Sequence, residues 1–164
     1  KSSLPKVYGG FNTSLSWKGF DLSAIFAYSI GGYIYNRDIT MILHNGSLEG
    51  RDWSTEILKR WTPENRYTDV PALSTTSNNW NSASTRFLQN NSYMRLKNLT
   101  LSYDLPKQWI SKLALSSVQV FVQGDNLFTI HRNQGLDPEQ GITGITYYRY
   151  PAMRTISGGI NLSF

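Results

Sequence analysis

The sequence contains no cysteine, which excludes disulfide frameworks, thiolate metal centres and a cysteine nucleophile. It has no apolar run near the roughly 18 residues that a membrane-crossing helix needs, and its mean hydropathy is −0.37. A membrane crossing by this chain would have to be made with strands. Charged residues supply only 16% of it, and the net charge of +5 is scattered. The basic cluster of a nucleic-acid surface is therefore missing, and no nucleic-acid partner is expected. The opening Lys1-Ser-Ser-Leu-Pro-Lys6 also lacks the apolar stretch of a secretory leader.

What is present are 13 Gly, 10 Tyr, 7 Phe and 5 Trp in 164 residues, a composition that suits short strands, tight turns and interfacial aromatics. The last residues, Thr155 to Phe164, alternate. Ile156, Gly158, Ile160, Leu162 and Phe164 fall on one side, and Ser157, Gly159, Asn161 and Ser163 on the other. Small uncharged polar partners with a terminal aromatic fit a strand with lipid outside, a wet lumen inside and an interfacial anchor at its end.

Four more segments repeat the pattern. Tyr8–Trp17 sets Phe11, Thr13, Leu15 and Trp17 against Asn12, Ser14 and Ser16. Phe20–Ile30 sets Leu22, Ala24, Phe26, Tyr28 and Ile30 against Asp21, Ser23, Ile25, Ala27 and Ser29. Ser92–Asp104 sets Leu99, Leu101 and Tyr103 against Asn98, Thr100, Ser102 and Asp104. Val118–Thr129 sets Val118, Val120 and Val122 against Gln119, Phe121, Gln123 and Asp125. Each is about as long as a tilted strand needs to be to cross a bilayer.

The connections alternate in length. Lys18-Gly19 is a two-residue hairpin turn, and Leu105–Ser117 is short, with Pro106 placed to open a helical turn carrying Trp109, Ile110 and Leu113. The stretches 31–91 and 130–153 are long. Short turns at one end and long loops at the other match outer-membrane barrels. With Phe164 at the periplasmic end, turns 18–19 and 105–117 are periplasmic and both long loops are extracellular. Inside the first loop, Asp52–Trp61 is expected as a short helix with Asp52 as N-cap and Trp53, Ile57 and Trp61 on one face, ended by Pro63. Val70–Thr85 is expected to be irregular and exposed. Five strands cannot close a barrel, and open edges in lipid are costly. Further strands are therefore expected upstream, with Lys1 an internal residue of a longer polypeptide.

Several segments, in order, resemble SusC/RagA-type TonB-dependent transporters. They are Gly32-Tyr-Ile-Tyr-Asn-Arg-Asp38, Arg60-Trp-Thr-Pro63, Ser92-Tyr-Met-Arg-Leu-Lys-Asn-Leu-Thr-Leu-Ser-Tyr-Asp-Leu-Pro106 and Val120-Phe-Val-Gln-Gly-Asp-Asn-Leu-Phe-Thr129. Gly135-Leu-Asp-Pro-Glu139, Tyr150-Pro151, Arg154-Thr155 and Gly159-Ile-Asn-Leu-Ser-Phe164 continue the series. The resemblance implies an all-β fold: about five antiparallel transmembrane strands forming the C-terminal part of a barrel of about 22, with its plug domain outside this chain. It also implies import of oligosaccharides or peptides across the outer membrane of Gram-negative, Bacteroidetes-type cells. The implied partners are the upstream strands and plug, a SusD-like lipoprotein lid and TonB acting through the missing N-terminal part. The barrel-assembly machinery, outer-membrane lipid and a dimer of transporter–lid pairs complete the set. Ile160, Leu162 and Phe164 resemble the signal read by that assembly machinery.

Two rival readings remain. One is a TonB-dependent siderophore or cobalamin receptor. The other is a soluble carbohydrate-binding β-sandwich, which requires the Leu99/Leu101 and Val118/Val120/Val122 faces to be buried against a second sheet.

No catalysis, metal or cofactor is expected. His44 and His131 lie in different loops, Asp125 and Asp137 lack a calcium-loop pattern, and Glu49, Asp52, Glu56, Glu64 and Asp69 read as solvated rather than as an acid–base pair. The sequons at Asn12, Asn45, Asn90, Asn98 and Asn161 reflect abundant Asn, Ser and Thr. The candidate ligand or lid contacts are Trp53, Trp61, Trp80, Tyr147, Tyr148, Arg149 and Tyr150, because sugar rings stack on aromatic faces. For Trp53 and Trp61, packing with Ile57 is the simpler expectation.

Overall fold

The computed structural model describes residues 1–76, 80–110, 115–133, 135–139 and 141–164. They divide into two compact units.

The larger unit comprises residues 5–32, 91–139 and 150–164 and holds a five-stranded antiparallel sheet. Its strands are β1 (Val7–Trp17), β2 (Phe20–Ile30), β5 (Tyr93–Asp104), β6 (Ser117–His131) and β8 (Thr155–Ser163), hydrogen-bonded in that order. All five sequence-derived strands are present, within a few residues of their expected ends. The β1–β2 hairpin turns at Lys18 and Gly19, with φ of 48° and 85°. Two successive left-handed residues give the turn twist that matches paired strands. A Cβ on Gly19 would stand 3.2 Å from the Asp104 carbonyl oxygen, so the neighbouring strand adds a second reason for glycine.

The registers bring like residues together. Phe11 lies opposite Phe26, with rings stacked 4.7 Å apart, and Phe20 lies opposite Tyr103 at 4.4 Å. Leu22 pairs with Leu101, Leu101 with Val122, and Val118 with Leu162. Trp17, Phe20, Tyr103 and Phe164 gather at the turn end of the sheet, where an aromatic girdle would sit.

Much of this apolar face is exposed, although Ala24 and Leu96 on it are buried. Leu101, Val120 and Val122 are 42%, 42% and 48% exposed, and Ile156 76%. Val118, beside the helical turn Lys107–Ile110 (α2), is buried, as is Ile110. The opposite face carries polar groups, and Ser102 and Arg95 are buried on it. Soluble sheets do the reverse. The sandwich reading requires Leu101, Val120 and Val122 to be buried, and all three are exposed.

One irregularity was not expected. The register slips at Lys97: Asn98 pairs with Ile25 of β2 but Leu96 pairs with Phe26. Across β6, Asn98 meets Asp125 while Leu96 meets Phe128, and Asn126 between them adopts φ 53°. Leu96 and Met94 thereby join the apolar face opposite Phe26 and Tyr28, and Lys97 turns to the polar side. A bulge of this kind re-aims side chains.

The smaller unit comprises residues 1–4, 33–90 and 140–149. The long stretch after β2 is less irregular than expected. β3 (Tyr33–Asn36) pairs antiparallel with β4 (Leu88–Asn90) and parallel with β7 (Ile145–Thr146). A short helix α1 (Arg37–Ile42) follows β3, capped by Asn36 Oδ1 accepting from Ile39 N at 3.1 Å. Ile34 and Phe87 form its core together with Leu43, Ile57 and Val70, so Val70 is buried where exposure was expected.

The helix expected at Asp52–Trp61 is a five-residue 3₁₀ helix, Thr55–Lys59, capped by Ser54 and not by Asp52. Tertiary hydrogen bonds explain the difference. Ser54 N donates to Ile42 O at 2.7 Å and Trp61 N to Val70 O at 2.8 Å, which holds both ends extended. Trp53 and Trp61 therefore lie outside the helix and do not share its Ile57 face. Of the residues expected on the 105–117 turn, Trp109 is exposed and Leu113 lies outside the described residues.

Candidate functional site

The sequence-derived aromatics do not converge on one place. Trp53 packs edge-on against the buried His44 ring at 5.1 Å, with its own ring partly exposed. Trp61 is also partly exposed. Trp80 is half-buried, and the Arg86 guanidinium lies 3.3 Å over its ring. Arg86 also reaches Asp69 at 3.8 Å. Among the described residues no ring contact joins the three tryptophans. Glu49, Asp52, Glu56, Glu64 and Asp69 are all exposed, as solvated carboxylates should be.

Tyr147 and Tyr148 do come together, with ring centroids 4.1 Å apart and the Arg37 guanidinium 4.9 Å over Tyr147. Tyr148 holds φ 47°, unusual for a residue with a bulky side chain. Its amide donates to both carboxylate oxygens of Asp38, at 3.1 and 3.2 Å, which fixes that backbone. The Tyr148 hydroxyl hydrogen-bonds Tyr147 and raises its pKa, against the lowering fields of Arg37 and Arg51. Arg149 is exposed in the same unit, and Tyr150, nearly fully exposed, belongs to the other. At the end of the sheet Ile160, Leu162 and Phe164 are all exposed, and Ile160 and Leu162 pair with Val120 and Val118.

Sequence reasoning missed an ionic cluster on the polar face of the sheet. Arg95 of β5 donates through Nε to Thr129 Oγ1 at 2.8 Å, through Nη2 to Asp137 Oδ1 at 2.5 Å and through Nη1 to Glu139 Oε2 at 2.7 Å. Lys97, turned to the polar face by the bulge, donates to both Glu139 oxygens at 2.6 and 2.5 Å. The Arg95 and Asp137 side chains are only 4% and 7% exposed. Asp137 also accepts from Glu139 N at 2.8 Å and, on its other oxygen, from Ala152 N at 2.7 Å. One carboxylate thus ties the chain at 139 and 152 to the strand. Burial alone would raise the Asp137 pKa. The two backbone amides and the Arg95 guanidinium outweigh it and hold the carboxyl below its usual value. Among the described residues no three His, Asp or Glu side chains gather as a metal would need.

No family model matches the chain. It is 33% identical over 171 residues to TonB-dependent receptor P3 of Formosa agariphila, covering 98% of this chain and 16% of that protein. TonB-dependent receptor SusC of Bacteroides thetaiotaomicron is 28% identical, over 100% of this chain and 16% of its own length. The RagAB peptide importer in its closed-closed state superposes with a TM-score of 0.89 at 36% identity, over 100% of this chain and 18% of that one. The chain belongs to the SusC/RagA-type TonB-dependent transporters. It corresponds to their C-terminal part and spans 16–17% of the length of the curated relatives it matches. Those SusC/RagA-type relatives are receptors and importers, not enzymes, in agreement with the expectation of no catalysis.

Proposed function

We propose that the polypeptide carrying this chain is an outer-membrane, TonB-dependent importer of oligosaccharides or peptides in a Gram-negative, Bacteroidetes-type cell. The observation that carries the reading is the inverted sheet, with apolar side chains bare on one face and an Arg95-centred ionic cluster buried on the other. Bare apolar surface on that scale is stable against lipid and a hazard in water. Edge strands β1 and β8 require partners, which an upstream part of a barrel of about 22 strands would supply.

In this reading turns 18–19 and 105–117 face the periplasm, and 31–91 and 130–153 form extracellular loops. A SusD-like lipoprotein covers those loops, and the exposed Tyr147, Tyr148, Arg149 and Tyr150, with Trp53, Trp61 and Trp80, supply ligand or lid contacts. TonB acts on a plug borne elsewhere in the polypeptide, and Ile160, Leu162 and Phe164 address the barrel-assembly machinery. Transporter–lid pairs associate as dimers. The SusC and RagAB relatives support the reading by name and by structure.

The test is uptake. Deleting the gene should abolish energised import of a glycan or peptide, with recovery on complementation. Detergent-extracted material should show a mass several times the 18.7 kDa of this chain and carry a lipoprotein with it. A native 18.7 kDa chain that is monomeric in plain buffer would end the reading.

A further inference from the structure

The acidic and basic residues of the five long strands, Asp21, Arg95, Lys97, Asp104 and Asp125, all fall on the polar face. The apolar face carries none within its strands. At the turn end it closes on Trp17, Phe20, Tyr103 and Phe164. Its other end is different, because two of its columns run into arginine. Alternation along β8 continues from Leu162, Ile160, Gly158 and Ile156 to Arg154, and along β6 from Phe128 and Ile130 to Arg132. Asn126 Nδ2 donates to Met153 O at 3.3 Å, which keeps the chain before β8 beside β6. Both arginines are exposed, and among the described residues neither joins a salt bridge.

Ile156 is the next residue of the Arg154 column, about 7 Å along the strand. It walls a recess of about 300 Å³ together with Leu22, Leu99, Leu101, Val122 and Leu127. Gly124, which pairs with both Leu99 and Ile156, also lines the recess. Leu127 folds over Gly124, where a Cβ would stand 2.7 Å from Leu127 Cδ2. No ionisable side chain lines the recess. An aliphatic hollow therefore lies next to an unpaired guanidinium on one face of one sheet.

We propose that Arg154 and this recess seat an anionic, phosphate-bearing lipid of the outer leaflet, with an acyl chain in the recess and the phosphate on the guanidinium. Charge complementarity selects the head, since a guanidinium binds phosphate through paired N–H donors. The aliphatic walls select the chain. A free phosphate ion would leave the recess unused, and an uncharged lipid would leave Arg154 unpaired. Arg132 places a second guanidinium beyond Ile130 for a neighbouring headgroup. The inference rests on the membrane reading, in which this end of the sheet is the extracellular one, and adds to it a place and a charge for one lipid.

The experiment uses the full native polypeptide, delipidated in neutral detergent. Native mass spectrometry follows its titration with phosphatidylglycerol, phosphatidylcholine and a diacylglycerol. Phosphatidylglycerol should bind most tightly and diacylglycerol least. Arg154→Gln should weaken phosphatidylglycerol binding about tenfold or more, the loss of one charge-assisted pair. Arg154→Lys keeps the charge without the planar fork and should fall between; it also carries the test should the glutamine variant fail to assemble. Val122→Phe, which fills the recess, should weaken binding severalfold. Arg66→Gln removes an equal charge from the smaller unit and should change nothing. Heat-modifiable migration shows that each variant has assembled.

Equal binding of all three lipids overturns the inference. So does phosphatidylglycerol binding untouched by the Arg154 and Val122 variants, or its full displacement by inorganic phosphate, which would make Arg154 an ion site only. A lipid-free dimer that separates in Val122→Phe would instead give the recess to a second copy. Detergent dependence separates the two levels. An assembled, importing protein without lipid preference sinks the seat and spares the membrane reading, whereas a native polypeptide that is monomeric in plain buffer ends both.

Discussion

Asp137 shows how much one side chain decides in the larger unit. Its carboxylate neutralises a buried guanidinium and accepts two backbone amides, from Glu139 and Ala152. Asp137→Ala would leave Arg95 buried with its charge partly uncompensated. We expect a local destabilisation of about 3–5 kcal/mol, read as lost amide-exchange protection at Ala152 while the β5–β6 ladder stays protected. Its pKa is depressed in the fold, so the stabilisation is complete above the ordinary carboxylate value of about 3.9 and is lost as pH falls through the lower folded value. Protection factors at Ala152 should be flat from neutral pH to mildly acid pH and collapse only below that. In Asp137→Asn they should be low throughout. Arg95 in a strand and Asp137 in a loop carry no sequence mark that joins them: they lie 42 positions apart and meet only through folding.

Among the elements, β5 offers the sharpest comparison, because adjacent residues face opposite environments. Leu101 is on the bare apolar face, and Thr100 on the polar face opposite Ser23 and Gln123. Leu101→Arg should cost about 2–4 kcal/mol if the residue lies near the bilayer midplane and should reduce assembled, heat-modifiable protein in outer membranes. Thr100→Arg should assemble normally, and equal behaviour of the two would contradict the assignment of faces. At the β1–β2 turn, Gly19→Val forces a branched residue to φ 85° and should cost about 1–2 kcal/mol, read as a lower midpoint of thermal unfolding of the assembled barrel. The bulge at Lys97 was legible in principle. Apolar residues sit at even positions Met94 and Leu96, then at odd positions Leu99, Leu101 and Tyr103, and a change of parity within one strand requires an extra residue. The 3₁₀ helix at Thr55–Lys59 was not legible, since the bonds from Ser54 to Ile42 and from Trp61 to Val70 hold its flanks extended.

At the largest scale, the five-stranded sheet is open, with β1 and β8 as its two edges. Expressed alone, this chain should associate in plain buffer and disperse only in detergent, because the face bearing Leu101, Val122 and Ile156 has no cover. Light scattering with and without detergent checks this, and a soluble monomer would contradict the membrane assignment.

The sequence by itself determined the five strands, their faces and the hairpin turn. Period-2 alternation and glycine's access to positive φ are local properties that leave their mark residue by residue. Only the tertiary structure decided the Arg95–Asp137–Glu139 cluster, the β3–β4–β7 sheet inside the supposed loops, and the recess walled by Leu22, Leu99 and Ile156. Each depends on residues far apart in the chain, held together by register and backbone hydrogen bonds that no local pattern encodes.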